Sequence, residues 1–202
     1  MLGGLYFSVR ALGSVEPLAA AVYGIVFPTK DAPPPPPVAA APEKPKQEPL
    51  TGIAEAYSNR LLIMGDDGEP HGFDSTKLAG VKYWAFYYSA SWCGPCREFT
   101  PDLVNFYRDF KPKHPDFELI FVNLDRSDGD MMSYMKGDAM PWPAVWFADV
   151  DNPDLNPKKY CGSGIPCLVL VDNDGNVLSD TFRNGQYTDP HEVITDIEST
   201  VP

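Results

Sequence analysis

The segment from Val81 to Phe110 constrains this chain most. An apolar run, Val81–Tyr88, leads into Cys93-Gly94-Pro95-Cys96, and an amphipathic stretch, Glu98–Phe110, leads out. The run is apolar at nearly every position except Lys82, which suits a strand covered on both faces, with Lys82 near its exposed start. Phe99, Leu103, Phe106, Tyr107 and Phe110 recur at helical spacing and form a core-facing stripe. The order strand, Cys-x-x-Cys, helix puts two thiols at a helix N-terminus, Cys93 just outside the first turn and Cys96 inside it. Unpaired backbone N–H groups and the positive end of the helix dipole favour a thiolate at Cys93. A free cysteine titrates at about 8.5, and a site of this kind can bring it to roughly 7. Cys93 is then a nucleophile at neutral pH, and Cys96 can resolve the mixed disulfide it forms.

Other uses of the pair fit less well. A structural zinc site needs about four ligands, usually as paired knuckles. Here the other cysteines, Cys161 and Cys167, have five residues between them, and His71, His114 and His191 are scattered. Haem attachment requires a histidine directly after the second cysteine, where Arg97 stands. A purely structural disulfide across so short a loop would remove little unfolded-state entropy. A redox pair is the favoured reading. No metal or organic cofactor is expected, because the Cys93/Cys96 dithiol is itself the redox group.

The chain has 202 residues, enough for one domain plus an extension, and 44% hydrophobic residues suffice for a packed core. The formal net charge of −12 argues against nucleic-acid binding, which requires a basic surface. Four cysteines in a chain this long do not make a disulfide scaffold and do not fix the compartment.

Residues 1–27 hold an apolar run, Pro17–Phe27, flanked by Glu16 and Lys30. It is too short for an ordinary membrane span, which needs about 20 residues, but has the length of a signal-peptide h-region. Two readings stay open: a signal or membrane tether, which favours the cell envelope, periplasm or secretion, and a loosely packed or disordered arm, compatible with the cytoplasm. Residues 28–49, with the run Pro33–Pro37, read as an extended polyproline linker. The folded domain is expected over residues 50–202.

Within it, Arg60–Met64 reads as a short strand, Asp66–Glu69 as a turn and Phe73–Leu78 as a helical turn. Phe117–Leu124 is the next strand, Asp125–Asp130 a loop with a helix cap, and Met131–Lys136 a short helix with its methionines in the core. Met140–Pro157, rich in Pro, Trp and Asp, has no clear period. A strand over Cys167–Val171, a hairpin turn at Asp172–Asn176, a returning edge strand over Val177–Phe182 and a last helix from Asp189-Pro190 complete the domain.

Four ordered motifs give the chain a resemblance to the thioredoxin superfamily, and within it to the tryparedoxin and nucleoredoxin branch. They are Tyr87-Tyr88-Ser89-Ala90-Ser91-Trp92-Cys93; Arg97-Glu98-Phe99-Thr100-Pro101 with Leu103 and Phe106-Tyr107; Met140-Pro141-Trp142; and Gly164-Ile165-Pro166. The resemblance covers roughly Leu50 to the C-terminus. It implies an α/β thioredoxin-like fold, a central mixed β-sheet flanked by helices, with Pro101 bending the helix after the cysteines. It also implies a cis-proline at Pro166 facing the Cys-x-x-Cys loop, with Trp92, Gly94 and Pro95 supporting the site. Ile165, Trp92 and Trp142 are the expected substrate contacts, with simple core packing as the other reading of Trp142.

The chain departs from the pattern in places. Thioredoxin itself carries a buried Asp beneath the second cysteine, and Tyr87 stands there instead, as in the tryparedoxin branch. The intervening dipeptide is Gly94-Pro95, as in thioredoxin, where tryparedoxins usually have Pro-Pro. Cys167 follows Pro166 where Thr is usual; it reads as a small buried residue, with a Cys161–Cys167 disulfide as the other reading. The expected activity is thiol–disulfide oxidoreduction, favouring reduction of protein disulfides, with an upstream thiol reductant and a monomeric protein. A non-catalytic adaptor and a disulfide oxidase or isomerase remain alternatives.

Overall fold

The structure, a computed structural model, describes residues 49–202; the expectations for the apolar run and most of the proline linker lie outside the described residues. Its centre is the run from Val81 to Tyr88. Strand β3 (Tyr83–Ser89) pairs in parallel with β4 (Phe117–Asn123), from Tyr83 opposite Phe117 to Ser89 opposite Asn123. On its other side β3 pairs antiparallel with β6 (Cys167–Asp172). Side chains alternate between two buried layers, as a pleated strand with both faces covered requires. Ala85, Tyr87, Leu119, Phe121, Leu168 and Leu170 enter one layer, and Trp84, Phe86, Tyr88, Ile120, Val122 and Val169 enter the other. Lys82 is exposed just ahead of β3.

The sheet extends outward from this trio. β1 (Leu61–Met64) pairs antiparallel with β2 (Pro70–Gly72) and with β5 (Ala144–Val145), β5 runs parallel to β4, and β7 (Val177–Asp180) closes the far edge against β6. The order is β2-β1-β5-β4-β3-β6-β7, the mixed sheet expected. The hairpin joining β6 to β7 is built by Asp172, whose carboxylate accepts from the backbone N–H groups of Asp174 and Asn176, while Gly175 takes φ +85°.

Helix α1 (Gly52–Ala56) and a short 3₁₀ turn at Ser75–Leu78 feed the second layer through Ile53, Ala54 and Leu78. Helices α2 (Gly94–Phe110), α3 (Asp128–Gly137) and α4 (Pro190–Thr200) feed the first. α2 buries Phe99, Leu103, Val104, Tyr107 and Phe110, the predicted stripe with Val104 added and Phe106 half-covered. Pro101 lies inside it and takes one N–H out of the hydrogen-bond ladder. α3 starts at Ser127, whose hydroxyl accepts from the Asp130 N–H; α4 starts at Asp189, whose carboxylate accepts from the His191 N–H, with Pro190 in the first turn.

One predicted element differs. The strand after the hairpin ends at Asp180 instead of continuing to Phe182. The Asp180 carboxylate accepts from the Phe182 N–H, and the Thr181 hydroxyl bridges the Leu168 N–H and C=O. The chain then turns into a separate two-stranded ribbon, β8 (Phe182–Arg183) with β9 (Gln186–Tyr187).

Candidate functional site: a dithiol at a helix N-terminus

β3 ends at Ser89, and four residues later Cys93 is the N-cap of α2. Cys93 and Cys96 form a disulfide, with Cα atoms 5.2 Å apart. The backbone N–H of Cys96 points at the Cys93 sulfur from 3.2 Å, so one of the orphan donors of the helix end faces the sulfur that a thiolate charge would occupy. Cys93 retains 6% of its surface and Cys96 none. Access to the pair is therefore through Cys93, and narrowly.

The loop carrying the cysteines is pinned by a residue not singled out in the sequence. One carboxylate oxygen of Asp125 accepts from both the backbone N–H and the hydroxyl of Ser91, each at 2.8 Å. Its other oxygen is buried without a partner among the described residues. Trp92, next to this anchor, projects into solvent with 62% of its surface exposed. Gly94 opens α2, and a Cβ added there would meet nothing within 4 Å, so neither crowding nor backbone conformation demands glycine. Pro95 is exposed in the first turn of the helix.

Opposite the cysteines, the Ile165–Pro166 peptide is cis, and Ile165 O lies 3.7 Å from the Cys93 sulfur, where a reduced thiol could donate to it. Pro166 is buried and Ile165 partly exposed. The Pro166 carbonyl accepts from the Tyr187 hydroxyl at 2.9 Å, which ties this edge to β9. The structure thus sets Ile165 and Pro166 opposite Cys93, with Pro95 and Pro166 lining one opening and Trp92 a hollow beside it with Ser91, Arg126 and Asp130.

Trp142 is the correction. Sequence reasoning placed it among the substrate contacts, but its side chain is fully buried, edge-on to Tyr87 at 6.1 Å and to Tyr107 at 5.6 Å. It packs the core behind Tyr87 and presents no surface to a substrate. Trp142 stands near the start of a Pro-rich, period-free stretch, where no periodicity tells which way an indole faces.

Beneath Cys96, where an acid is absent, the structure holds a buried chain of hydroxyls. Thr100 donates to the Cys96 carbonyl at 2.8 Å. A hydroxyl has one proton and two lone pairs, so the tyrosine hydroxyls at 2.8 Å (Tyr87) and 2.7 Å (Tyr134) must both donate to Thr100. Tyr134 in turn accepts from Ser89 at 2.8 Å. Burial raises the Tyr87 pKa, and the neighbouring Tyr134 adds to the rise, so Tyr87 stays a neutral donor. The groups gathered at the Cys96 carbonyl are neutral hydroxyls. Thr100 and Tyr134 were not legible as site residues because each looks like ordinary helix filling.

Cys161 and Cys167 are free thiols. Cys167 is buried in the second layer, and burial pushes its thiol up to about 12, whereas Cys161 is partly exposed and raised chiefly by burial. This agrees with the small-buried-residue reading of Cys167.

The pattern of a family described as "Thioredoxin-like" matches residues 80–177. A probable nucleoredoxin 1 of Arabidopsis thaliana is 38% identical over 121 residues, 60% of this chain and 20% of the relative, so the chain spans about a fifth of that protein. The thioredoxin of Wuchereria bancrofti is 32% identical, with 70% of this chain and 96% of that chain covered and a TM-score of 0.50. Native tryparedoxin I of Crithidia fasciculata is 30% identical, with coverages of 74% and 95% and a TM-score of 0.54. The sheet order, the placement of both cysteines and these likenesses agree. The chain belongs to the thioredoxin superfamily of oxidoreductases, in its tryparedoxin- and nucleoredoxin-like branch.

Proposed function

We propose that this domain, running from Leu50 to Pro202, reduces disulfides in protein substrates. The observation that carries the reading is the unequal access of the two sulfurs, 6% for Cys93 and none for Cys96, at the start of α2. In the reduced state the Cys93 thiolate attacks one sulfur of the substrate disulfide. The S–S bond breaks, the other substrate sulfur leaves as a thiolate and takes up a proton, and a Cys93–substrate disulfide forms. Cys96 then loses its proton and attacks the Cys93 sulfur, expelling the second substrate thiolate and closing the Cys93–Cys96 disulfide. Two electrons have passed to the substrate, and an upstream dithiol restores the pair. Trp92 and the Ile165–Pro166 edge flank Cys93 and serve as substrate contacts, with Pro95 setting the first turn of the helix.

The direction is set by reduction potential. A value near −270 mV, about that of thioredoxin, supports the reductase, and one near −120 mV makes the domain an oxidant. Insulin reduction by dithiothreitol gives the direct test: wild type accelerates it and Cys93→Ser does not. Equal rates for the two proteins would leave a non-catalytic adaptor.

A further inference from the structure

Beside the dithiol, α2 and the start of α4 enclose an open groove of about 560 Å³. It begins at Pro95 and Pro166, so it is continuous with the opening over Cys93. Its buried members are Phe99, Pro166 and Pro190, which give it an apolar base. Its exposed members include three carboxylates, Glu98, Asp102 and Asp189, and among the described residues no lysine or arginine lines it. His191 lies edge-on to Phe99 at 4.9 Å and holds Asp189 at 2.6 Å and Asp102 at 3.2 Å. Glu98 has no hydrogen bond or ion pair among the described residues and is exposed, one turn of helix from the Pro95 end.

A hydrated metal ion or a small cation has no use for an apolar base, and a neutral peptide has no use for the carboxylates. A lysine or arginine side chain matches both, laying its methylene stem on apolar surface while its charged head reaches a carboxylate at the rim. We propose that this groove binds a basic residue of the substrate polypeptide, close in sequence to the cysteine presented to Cys93, and that Glu98 is its specificity-determining contact. The proposal rests on the reductase reading above and names the class of protein that site prefers: disulfides with basic flanks.

The test uses two peptides, each holding one cysteine as a mixed disulfide with thionitrobenzoate, flanked by Lys and Arg in one and by Glu and Asp in the other. Release of the chromophore by the reduced protein gives kcat/KM. The wild type is expected to favour the basic peptide about three- to tenfold, the range for one or two exposed charge contacts. Glu98→Lys should bring the ratio close to 1. Glu55→Lys makes the same change in net charge on α1, which packs against the opposite layer, and should leave most of the preference in place. Equal falls in the two variants would mean a general field effect and overturn the proposal, as would no preference in the wild type.

A second arm needs no redox chemistry. The basic peptide with Ser in place of Cys is titrated into the oxidised protein, and backbone NMR shifts are followed at Glu98, Asp102 and Asp189. Shifts there without turnover would remove the reductase reading and leave the groove standing. Turnover without preference and without those shifts would do the reverse.

Discussion

Thr100→Val should cost this domain about 2–4 kcal/mol of stability. Thr100 is fully buried, and its hydroxyl donates to Cys96 O while accepting from Tyr87 and Tyr134. Valine keeps the shape and removes all three bonds. Tyr134 can turn its proton onto Ser89, but Tyr87 is left with only a 3.4 Å approach to Cys96 O. One buried hydroxyl losing its acceptor costs about 1–3 kcal/mol, and the remaining lost bonds add about 1 kcal/mol net. For a domain of this size that is a fall in Tm of roughly 5–15 °C. Urea unfolding of the oxidised protein measures it directly, with the slope unchanged if only the folded state is affected. Thr100→Ser keeps the hydroxyl and should lose only about 1 kcal/mol, the worth of one buried methyl. A Val variant within about 0.5 kcal/mol of wild type, the spread of ordinary surface substitutions, would refute the hydroxyl chain as a source of stability. Equal losses for Val and Ser would do so as well.

Among Cys93, Cys96 and Cys167 of the reduced protein, iodoacetamide at neutral pH should label Cys93 first, with the other two protected until unfolding, because only Cys93 of the three keeps any surface; peptide mapping that finds Cys96 modified first would reverse the roles proposed. His191 gives a pH signature. Burial alone would lower its pKa, but the hydrogen bonds to Asp189 and Asp102 outweigh that and raise it above 6.5, while the His191 backbone N–H and ring hold Asp189 below 3.8. The stabilisation is therefore fully present between those two ordinary values. It is lost at higher pH as His191 deprotonates through its raised pKa, and at lower pH as Asp189 protonates through its depressed one. His191→Gln should lower stability most near pH 5 and least at pH 8, as chemical denaturation at the two values would show; a difference independent of pH would remove the charge from the explanation.

The parts legible in the sequence were those whose signal is local. β3 and α2 each carry their own period, and the helix start is marked by Cys93 and Pro95 within a few residues. The elements that were missed owe their form to distant partners. Ala144–Val145 is a strand only because it lies between β1 and β4, and two residues have no period to detect. Phe182 leaves the edge strand because side chains of Asp180 and Thr181 take up backbone groups locally. The hydroxyl chain under Cys96 joins β3, α2 and α3, and Asp125 reaches back across 34 residues to Ser91. Such a meeting exists only after the sheet has formed.

Among the described residues, the two margins of the sheet bear on how this domain behaves at high concentration. An unpaired strand edge is a template on which another chain can extend the ladder, and stacking into fibrils needs a segment of about six residues without proline. β2 offers three residues, and its first, Pro70, has no N–H to give. β7 offers four, with Val177 and Leu178 exposed, but its pairing with β6 shifts register at Leu170/Val171, and the chain turns away after Asp180. A neighbour arriving at either margin finds only a few ladder positions before the template ends. Resistance to edge-to-edge aggregation is therefore written into the outermost strands, and lengthening β7 past Thr181 would be the change most apt to remove it.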